Sequence, residues 1–304
     1  MSDWTQRLRL RHLELLMKVG ETGNLSHSAA ALNTTQPALS KWLKELEEDL
    51  GLPLFERHAR GLRPTSYGEA LMEHARRITG RLDNARDDMA AQREGGSGLV
   101  AIGTSGVAAA DTVPTAVARL VKELPRAQIR LVESTMNLMM PQLLHGELDI
   151  VVGRSSNEAV DPLLSAELLY RERIAFVCGL DHPLAERSTL GWDDLFACNW
   201  IVWPAGTPVR KALETALDAA GRRMPQHCIE SNSSMLNVAL LNQTQLLGVA
   251  SGRAAQRFAQ LGALRILPMT LESIGSVSMY WRSDSANRLA VARALAHLRG
   301  CAQG

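Results

Sequence analysis

The stretch TTQPALSKWLKELEEDLG, residues 34–51, restricts the fold of this 304-residue chain more tightly than any other. At about 100° per residue on a helix, Leu39, Leu43, Leu46 and Leu50 fall within one narrow sector, which makes that sector a core face. Pro37, Ser40, Lys41 and Lys44 fall on roughly the opposite side. They are short or basic, where an ordinary solvated face would carry long side chains of both charges. Thr34 or Thr35 can cap the helix, Pro37 is tolerated in its first turn, and Gly51 provides the stop.

The neighbours of this helix give it a context. Upstream, Leu8, Leu13, Leu16, Met17 and Val19 recur at helical spacings up to a stop between Gly20 and Gly23. LSHSAAAL then reads as a second short helix that Ser26 can cap, with Ala29, Ala30 and Leu32 allowing close packing. Only a few residues, around Asn33 to Thr35, separate it from the helix that follows. Two helices joined this tightly form a helix-turn-helix, here residues 25–44. After Gly51, Leu54 and Phe55 begin a short extended segment and Gly61 offers a turn. Arg57, His58, Arg60 and Arg63 decorate this segment, which reads as a basic β-wing.

Residues 1–65 carry nine Lys and Arg against eight Asp and Glu, so placement matters more than total charge. Glu45, Glu47, Glu48 and Asp49 crowd the far end of the helix, away from the end that would meet phosphate. In a helix-turn-helix the second helix enters the major groove with its N-terminal residues nearest the bases. Gln36 can pair with adenine, Ser40 can donate or accept, and Lys41 can reach guanine or phosphate. Pro37 and Ala38 permit close approach and can touch a thymine methyl. Lys44 and the wing arginines would hold phosphates and fix the register.

Residues 8–65, above all AAALNTTQPALSKWLKELEEDLGLPLFER, resemble the winged helix-turn-helix of LysR-type transcriptional regulators. The T-Q-P-A-L-S-K core and the following L-E-E-x-L-G-x-P-L-F-E-R carry the resemblance. It implies DNA contacts at Thr35, Gln36, Pro37, Ser40 and Lys41, with Arg57 and the wing behind them. Trp42 departs from the pattern, since the family usually has a smaller polar residue there. Its role is packing against the wing or contact with the DNA backbone.

From residue 66 to 94, Leu71, Ala75, Ile78, Leu82, Ala85 and Met89 alternate at spacings of four and three, an a/d pattern held for about three heptads. The glycine-rich break Gly95, Gly96, Ser97, Gly98 follows, so the stripe has little core of its own chain to cover. A partner helix from a second subunit fits it better. The resemblance agrees, because the family's linker helices pair subunits into dimers and dimers often pair into tetramers.

From Leu99 onward, short apolar runs (LVAIG, IRLVES, LDIVVG, IAFVCG, NWIVWP, LLGVAS, LRILPM, SVSMYW) alternate with Ala- and Leu-rich helical stretches. Such alternation gives α/β layers with largely parallel sheets. The expected architecture is an α+β multidomain chain with a winged helix-turn-helix over 8–65 and a linker helix over 66–94. An effector region follows in two α/β subdomains, 98–168 with 270–304 and 169–269. Ligands of such sheets bind beyond the carboxyl ends of the strands. Applied here, that rule selects Thr104, Ser105 and Val107, then Thr135 and Met136, then Arg154. In the second subdomain it selects Trp203, Thr207, Pro208 and Ser233. Hydroxyls and free N–H groups at helix starts suit a small organic anion. The same Ser and Thr would also serve as plain helix caps, and Arg154 as half of a surface ion pair.

This half resembles the family's effector-binding domain, which has the two-subdomain fold of periplasmic binding proteins. GELDIVVGR, LYRERIAFVCGLDHPL and IESNSSMLN carry the likeness. They look most like the branch containing regulators of protocatechuate and sugar-uptake operons. The family resemblance implies double-stranded operator DNA, a small-molecule effector, a homodimer or homotetramer and RNA polymerase as partners.

Other classes fit poorly. A net charge of +1 confines any nucleic-acid contact to a local patch. No run of 18 or so apolar residues suggests a spanning helix. Glu14 and Lys18 spoil a signal-peptide core after Arg7, Arg9 and Arg11, which points to the cytoplasm and away from an exported solute-binding protein. GTSG at 103–106 is not a nucleophile elbow, no Gly-rich dinucleotide motif follows a strand, and no zinc-protease motif occurs, so no enzyme and no cofactor are expected. His227 and Cys228 are too sparse for a metal site. The alternative function is a redox-sensing regulator, which would need two of Cys178, Cys198, Cys228 and Cys301 close in space.

Overall fold

The computed structural model describes residues 4–58, 61–93, 96, 98–154 and 161–302. The chain divides into two compact units, residues 1–90 with 145–147 and residues 91–144 with 148–304.

The first unit opens with helices α1 (Leu10–Thr22), α2 (Leu25–Ala31) and α3 (Gln36–Leu50). Leu13, Leu16 and Val19 of α1, Ala29 of α2 and Leu39, Leu43 and Leu46 of α3 are buried together in one core. In α1 and α3 these residues recur every three or four positions, so they share a helix face. Leu50 is only half-buried. α1 runs through Gly20 and ends at Gly23, whose φ of +61° closes the helix with its N–H bonded to the Val19 carbonyl. Asn24, not Ser26, caps α2: its Oδ1 accepts from the N–H groups of Ser26 and His27 at 2.9 and 3.1 Å. A cap must sit on extended backbone just outside the helix, and Ser26 already lies within the first turn. Thr35 caps α3 by accepting from the Ala38 N–H at 3.4 Å. Asn33, at φ +50°, makes the turn between the two helices.

Strands β1 (Phe55–His58) and β2 (Gly61–Pro64) form an antiparallel hairpin. Gly61 opens β2, where the sequence suggested it as the turn itself. At φ +121° it lets the strand pass against α1, so that the Leu62 N–H donates to the Gly23 carbonyl at 2.7 Å. A Cβ at Gly61 would collide with that carbonyl. The fourth helix, α4 (Ser66–Arg93), is about 42 Å long at 1.5 Å per residue. Its first turns do cover a core of their own chain: Met72 and Ala75 are buried in the three-helix core, and Leu71 packs against it. Beyond that point the stripe is bare, with Ile78 43%, Leu82 50% and Met89 58% exposed. Of the glycine-rich break, Gly95 and Ser97 lie outside the described residues.

The second unit runs β3 (Leu99–Thr104), α5 (Gly106–Ala109), α6 (Thr112–Glu123), β4 (Gln128–Glu133), α7 (Met136–His145), β5 (Ile150–Arg154) and β6 (Leu164–Cys178). It continues α8 (Trp192–Phe196), β7 (Asn199–Val202), α9 (Pro208–Ala219), β8 (Cys228–Glu230), α10 (Ser234–Gln243), β9 (Leu246–Ser251), α11 (Gly252–Gln260), β10 (Arg265–Arg282) and α12 (Leu289–Ala302). The strands form one sheet in the order β4-β3-β5-β10-β6-β9-β7-β8. The expectation of largely parallel sheets holds at the two ends, where β3 pairs with β4 and β5, and β7 with β8 and β9. In the middle it fails, because β10 runs antiparallel to β5 and β6, and β6 antiparallel to β9. The chain leaves the first half on β6 and returns on β10, and two such crossing strands must point in opposite directions. The sequence boundaries at 168/169 and 269/270 therefore fall inside strands. LRILPM and SVSMYW belong to the single strand β10, with Pro268 inside a register shift where a missing N–H costs little.

Period-two burial fixes the layers. Val100, Ile102, Ile150 and Val152 face α6 and α12, while Ala101 and Val151 face Met139 and Leu143 of α7. In the second half Phe176, Trp200 and Val202 face Leu213 and Leu217 of α9, and Val177 and Ile201 face Leu241 of α10 and Ala255 of α11. Both faces are covered, as continuous apolar strands require.

One buried charge organises the first half. Asp149, 1% exposed, accepts from the Ala101 N–H at 2.9 Å and from the Arg288 guanidinium at 2.6 Å. Arg282 lies 4.0 Å from the same carboxylate and donates to the Leu143 and Leu148 carbonyls. Removing one partner of a buried ion pair leaves the other uncompensated. Asp149→Ala should therefore lower the unfolding free energy by about 3–5 kcal/mol, measured by urea titration followed with the tryptophan fluorescence of the second unit.

Candidate functional site

The first unit presents one face of α3 to solvent. Thr35, Gln36, Pro37, Ala38, Lys41 and Lys44 are exposed and Ser40 is half-buried. Their side of the helix is free because the leucines take the other side. Lys41 pairs with Glu45 at 3.7 Å and Lys44 with Glu48 at 3.5 Å, both on the surface. Such exposed pairs are worth at most about 1 kcal/mol and yield easily to a phosphate. The other two acids of the helix end are structural. Glu47 accepts from the Leu54 and Phe55 N–H groups at 2.7 and 3.1 Å, anchoring the wing to α3, and Asp49 pairs with Arg7 at 3.1 Å. Nothing in the spacing of Glu47 announced that role.

In the wing, Arg63 stands opposite Glu56, and Arg57 opposite Leu62. Side chains alternate along a strand and match across a pair, so Arg57 and Arg63 occupy opposite faces of the hairpin. Arg63 shares its face with a carboxylate and Arg57 does not. Arg60 lies outside the described residues. Trp42 packs on α1, its ring 5.0 Å from that of His12. Burial there, followed by the charges of Arg11 and Arg9, lowers the His12 pKa, so the ring partner of Trp42 is held neutral near pH 7.

The second unit holds a cavity of about 1160 Å³ at the carboxyl ends of its strands. Ser105, Thr135, Met136 and Arg154 line it from the first half of the sheet, and Trp203, Thr207, Pro208 and Ser233 from the second. Thr104 does not reach it. That residue is 5% exposed, its hydroxyl donates to the Ser105 carbonyl at 3.1 Å, and it closes the buried face of β3. Val107 lies in α5 with its side chain outside the described residues.

Several lining hydroxyls are already engaged. Thr207 accepts from the Arg210 N–H and donates to the Pro204 carbonyl, and Ser233 accepts from the Leu236 N–H. Trp203 is fixed by donation from its indole to the Val249 carbonyl at 2.9 Å. Arg154, 5% exposed, brings one guanidinium nitrogen up to Gly275, where any Cβ would overlap it. The buried Ser105 Oγ and Asn237 Oδ1 have no hydrogen-bond partner among the described residues. Glu133, Asn232, Asn237 and Ser251 line the cavity and were not among the sequence candidates. Glu133 and Ser251 end strands β4 and β9, and the strand-end rule applied to every strand would have found them. Asn237 depends on which face α10 turns inward, which no short motif reveals.

Two family models cover these two structures. The model described as bacterial regulatory helix-turn-helix protein, lysR family, matches residues 10–69, and the LysR substrate binding domain matches residues 93–302. The chain belongs to the LysR family. It is 32% identical to the HTH-type transcriptional regulator GbpR of Azospirillum brasilense, over 96% of this chain and 86% of that protein. To the HTH-type transcriptional regulator PcaQ of Agrobacterium fabrum it is 27% identical, over 98% and 96%. Its fold matches the crystal structure of CbnR, a LysR family transcriptional regulator, at a TM-score of 0.70 with 20% identity, covering 98% of this chain and all of that one. This LysR protein is thus a DNA-binding transcriptional regulator with an effector-binding domain, and not an enzyme. No helix among its described residues is long and apolar enough to cross a membrane.

The cysteines of this LysR regulator are free, with Cys178 and Cys301 buried, Cys198 half-buried and Cys228 exposed. Burial, helped by nearby Cys198, pushes the Cys178 thiol up to about 11, and burial also raises Cys198 and Cys301. Peroxide reacts with thiolates, so a raised pKa is the opposite of what redox sensing needs. At pH 8 iodoacetamide should modify Cys228 first and leave Cys178 intact until the protein is unfolded, as read by mass spectrometry of digests. Rapid modification of Cys178 in the native protein would revive the redox alternative.

Proposed function

We infer that this regulator reads operator DNA with the N-terminal end of α3 and that a small organic effector in the strand-end cavity sets its activity. The observation that carries the reading is the division of α3 itself: one face is consumed by the core, and the other is a short, polar, basic strip with no cover. Gln36, Ser40 and Lys41 discriminate bases, with Thr35 and Pro37 closing on the groove. Lys44, Arg57, Arg60 and Arg63 hold phosphates.

The effector carries a carboxylate or similar anion. The N-termini of α7, α9, α10 and α11 all contribute to the cavity wall and supply partial positive charge. The regulator works as a homodimer or homotetramer in the cytoplasm and acts on RNA polymerase. The bare Ile78, Leu82 and Met89 stripe of α4 is the face that pairs two copies.

Operator binding across a range of salt, on native and base-substituted sites, tests the DNA reading. Gln36→Ala should cost about 1–3 kcal/mol at its own base pair and relax preference there. Arg57→Ala should weaken all sequences alike and reduce the salt slope by about one. A Gln36→Ala protein with native base preference would move the recognition surface elsewhere.

Assembly is tested separately. Ile78→Asp with Leu82→Asp should give smaller species in sedimentation, since both residues lie on the exposed part of the stripe and outside the three-helix core. Unchanged assembly would remove α4 as the interface.

A further inference from the structure

Most of the cavity wall is apolar or occupied by helix caps, but one spot is different. A Cβ on residue 106 would lie 3.4 Å from Ser234 Oγ, 3.4 Å from the Trp203 ring and 3.6 Å from Glu133 Oε1. These three groups converge on a point beside the bare Cα of Gly106. It is bounded by both halves of the sheet, with Gly106 and Glu133 from the first and Trp203 and Ser234 from the second. All four residues line the cavity.

The chemistry around this point asks for donors. Glu133 is exposed to the cavity and makes no ion pair among the described residues. A carboxylate is an acceptor only. Asn237, three residues beyond Ser234 and so on the same face of α10, has its buried Oδ1 without a donor. Ser105, next to Gly106, has a buried hydroxyl that is equally unsatisfied. Buried polar atoms of this kind cost stability until something pairs with them. Among the described residues the charged groups of the wall are Glu133, Asp161 and Arg154, with no lysine, so a polyanion would meet more repulsion than attraction. A rigid indole beside two acceptors suits a group with C–H bonds on one side and hydroxyls on the other.

The geometry points to a subsite at Gly106 that recognises vicinal hydroxyls, with Glu133 as the specificity-determining acceptor, and so to a polyhydroxylated effector. One carboxylate on that effector satisfies the reading above, on which this inference rests, and its hydroxyl-bearing part occupies the subsite. Two oxygens of one carboxylate can accept from neighbouring hydroxyls together, which gives the charge-assisted bonds that select such ligands.

Thermal shift and isothermal calorimetry on the full-length protein test this with gluconate, glucose, and the unhydroxylated acids benzoate and succinate. Gluconate is expected to bind. Glu133→Gln is expected to weaken it about tenfold or more, as loss of a charge-assisted bond does. Gly106→Ala is the second variant. Its added Cβ meets its neighbours at ordinary contact distance, so the unliganded melting temperature should stay near that of the parent while the affinity falls. Binding of gluconate unchanged by both variants overturns the subsite. Binding of benzoate or succinate in preference to gluconate overturns the hydroxyl requirement and leaves the proposed effector role intact. Glucose binding without gluconate binding supports the subsite and overturns the anionic group. Failure of every probe to bind overturns the subsite and the effector reading together.

Discussion

The carboxylate of Asp149 is the point on which the effector unit depends. It is buried at the start of β5, and it holds an N–H of β3 and the guanidinium of Arg288 just before α12. Arg282, at the end of β10, lies beside it and ties the carbonyls of Leu143 and Leu148. Segments from residues 99–101, 143–149 and 282–288 are thereby fixed around one charge. That fixes where the returning strand β10 must stop and α12 begin. With β10 so placed, the strand ends that form the cavity are placed too, because β10 lies between β5 and β6 in the sheet.

The DNA-binding unit achieves its order differently, with apolar faces and caps in place of buried charge. Asn24, Thr35, Gly23 and Gly51 define the ends of three short helices to the residue. Glu47 then ties the wing to α3, and the Gly23–Leu62 bond ties it to α1. The polar strip of α3 is presented by a rigid support, which is what base readout requires.

Much of the head was legible because its signals are local. The spacing of Leu39, Leu43 and Leu46, the Thr35 cap and the Gly51 stop each act within one or two turns of a helix. Where local signals competed, the sequence misled. Ser26 and Asn24 are both good caps, and only the backbone conformation chooses Asn24. Gly61 is a good turn residue, but the carbonyl of Gly23, thirty-eight positions away, claims it for a close approach. The a/d stripe of α4 begins as intrachain packing at Leu71 and Ala75 and becomes bare only from Ile78, a distinction invisible to heptad counting.

In the effector half, the apolar runs marked the strands because a strand covered on both faces must be apolar throughout. Their pairing was not marked. Nothing in LRILPM and SVSMYW says that they are one strand, or that it runs antiparallel to its neighbours, since ladder partners lie about a hundred residues away. The strand-end rule picked out Ser105, Thr135, Arg154, Trp203 and Thr207, which line the cavity, because it needs only the strand and its direction. It could not show that Thr207 and Ser233 are occupied as caps while Ser105 and Asn237 are not. Sequence alone determined the helix faces, the strand segments and the family, which depend on near neighbours and residue type. Tertiary structure alone decided which polar atoms remain unpaired and that Glu133, Trp203 and Ser234 meet around Gly106. Those facts depend on the packing of segments from both halves of the sheet, and no local pattern records the distance between them.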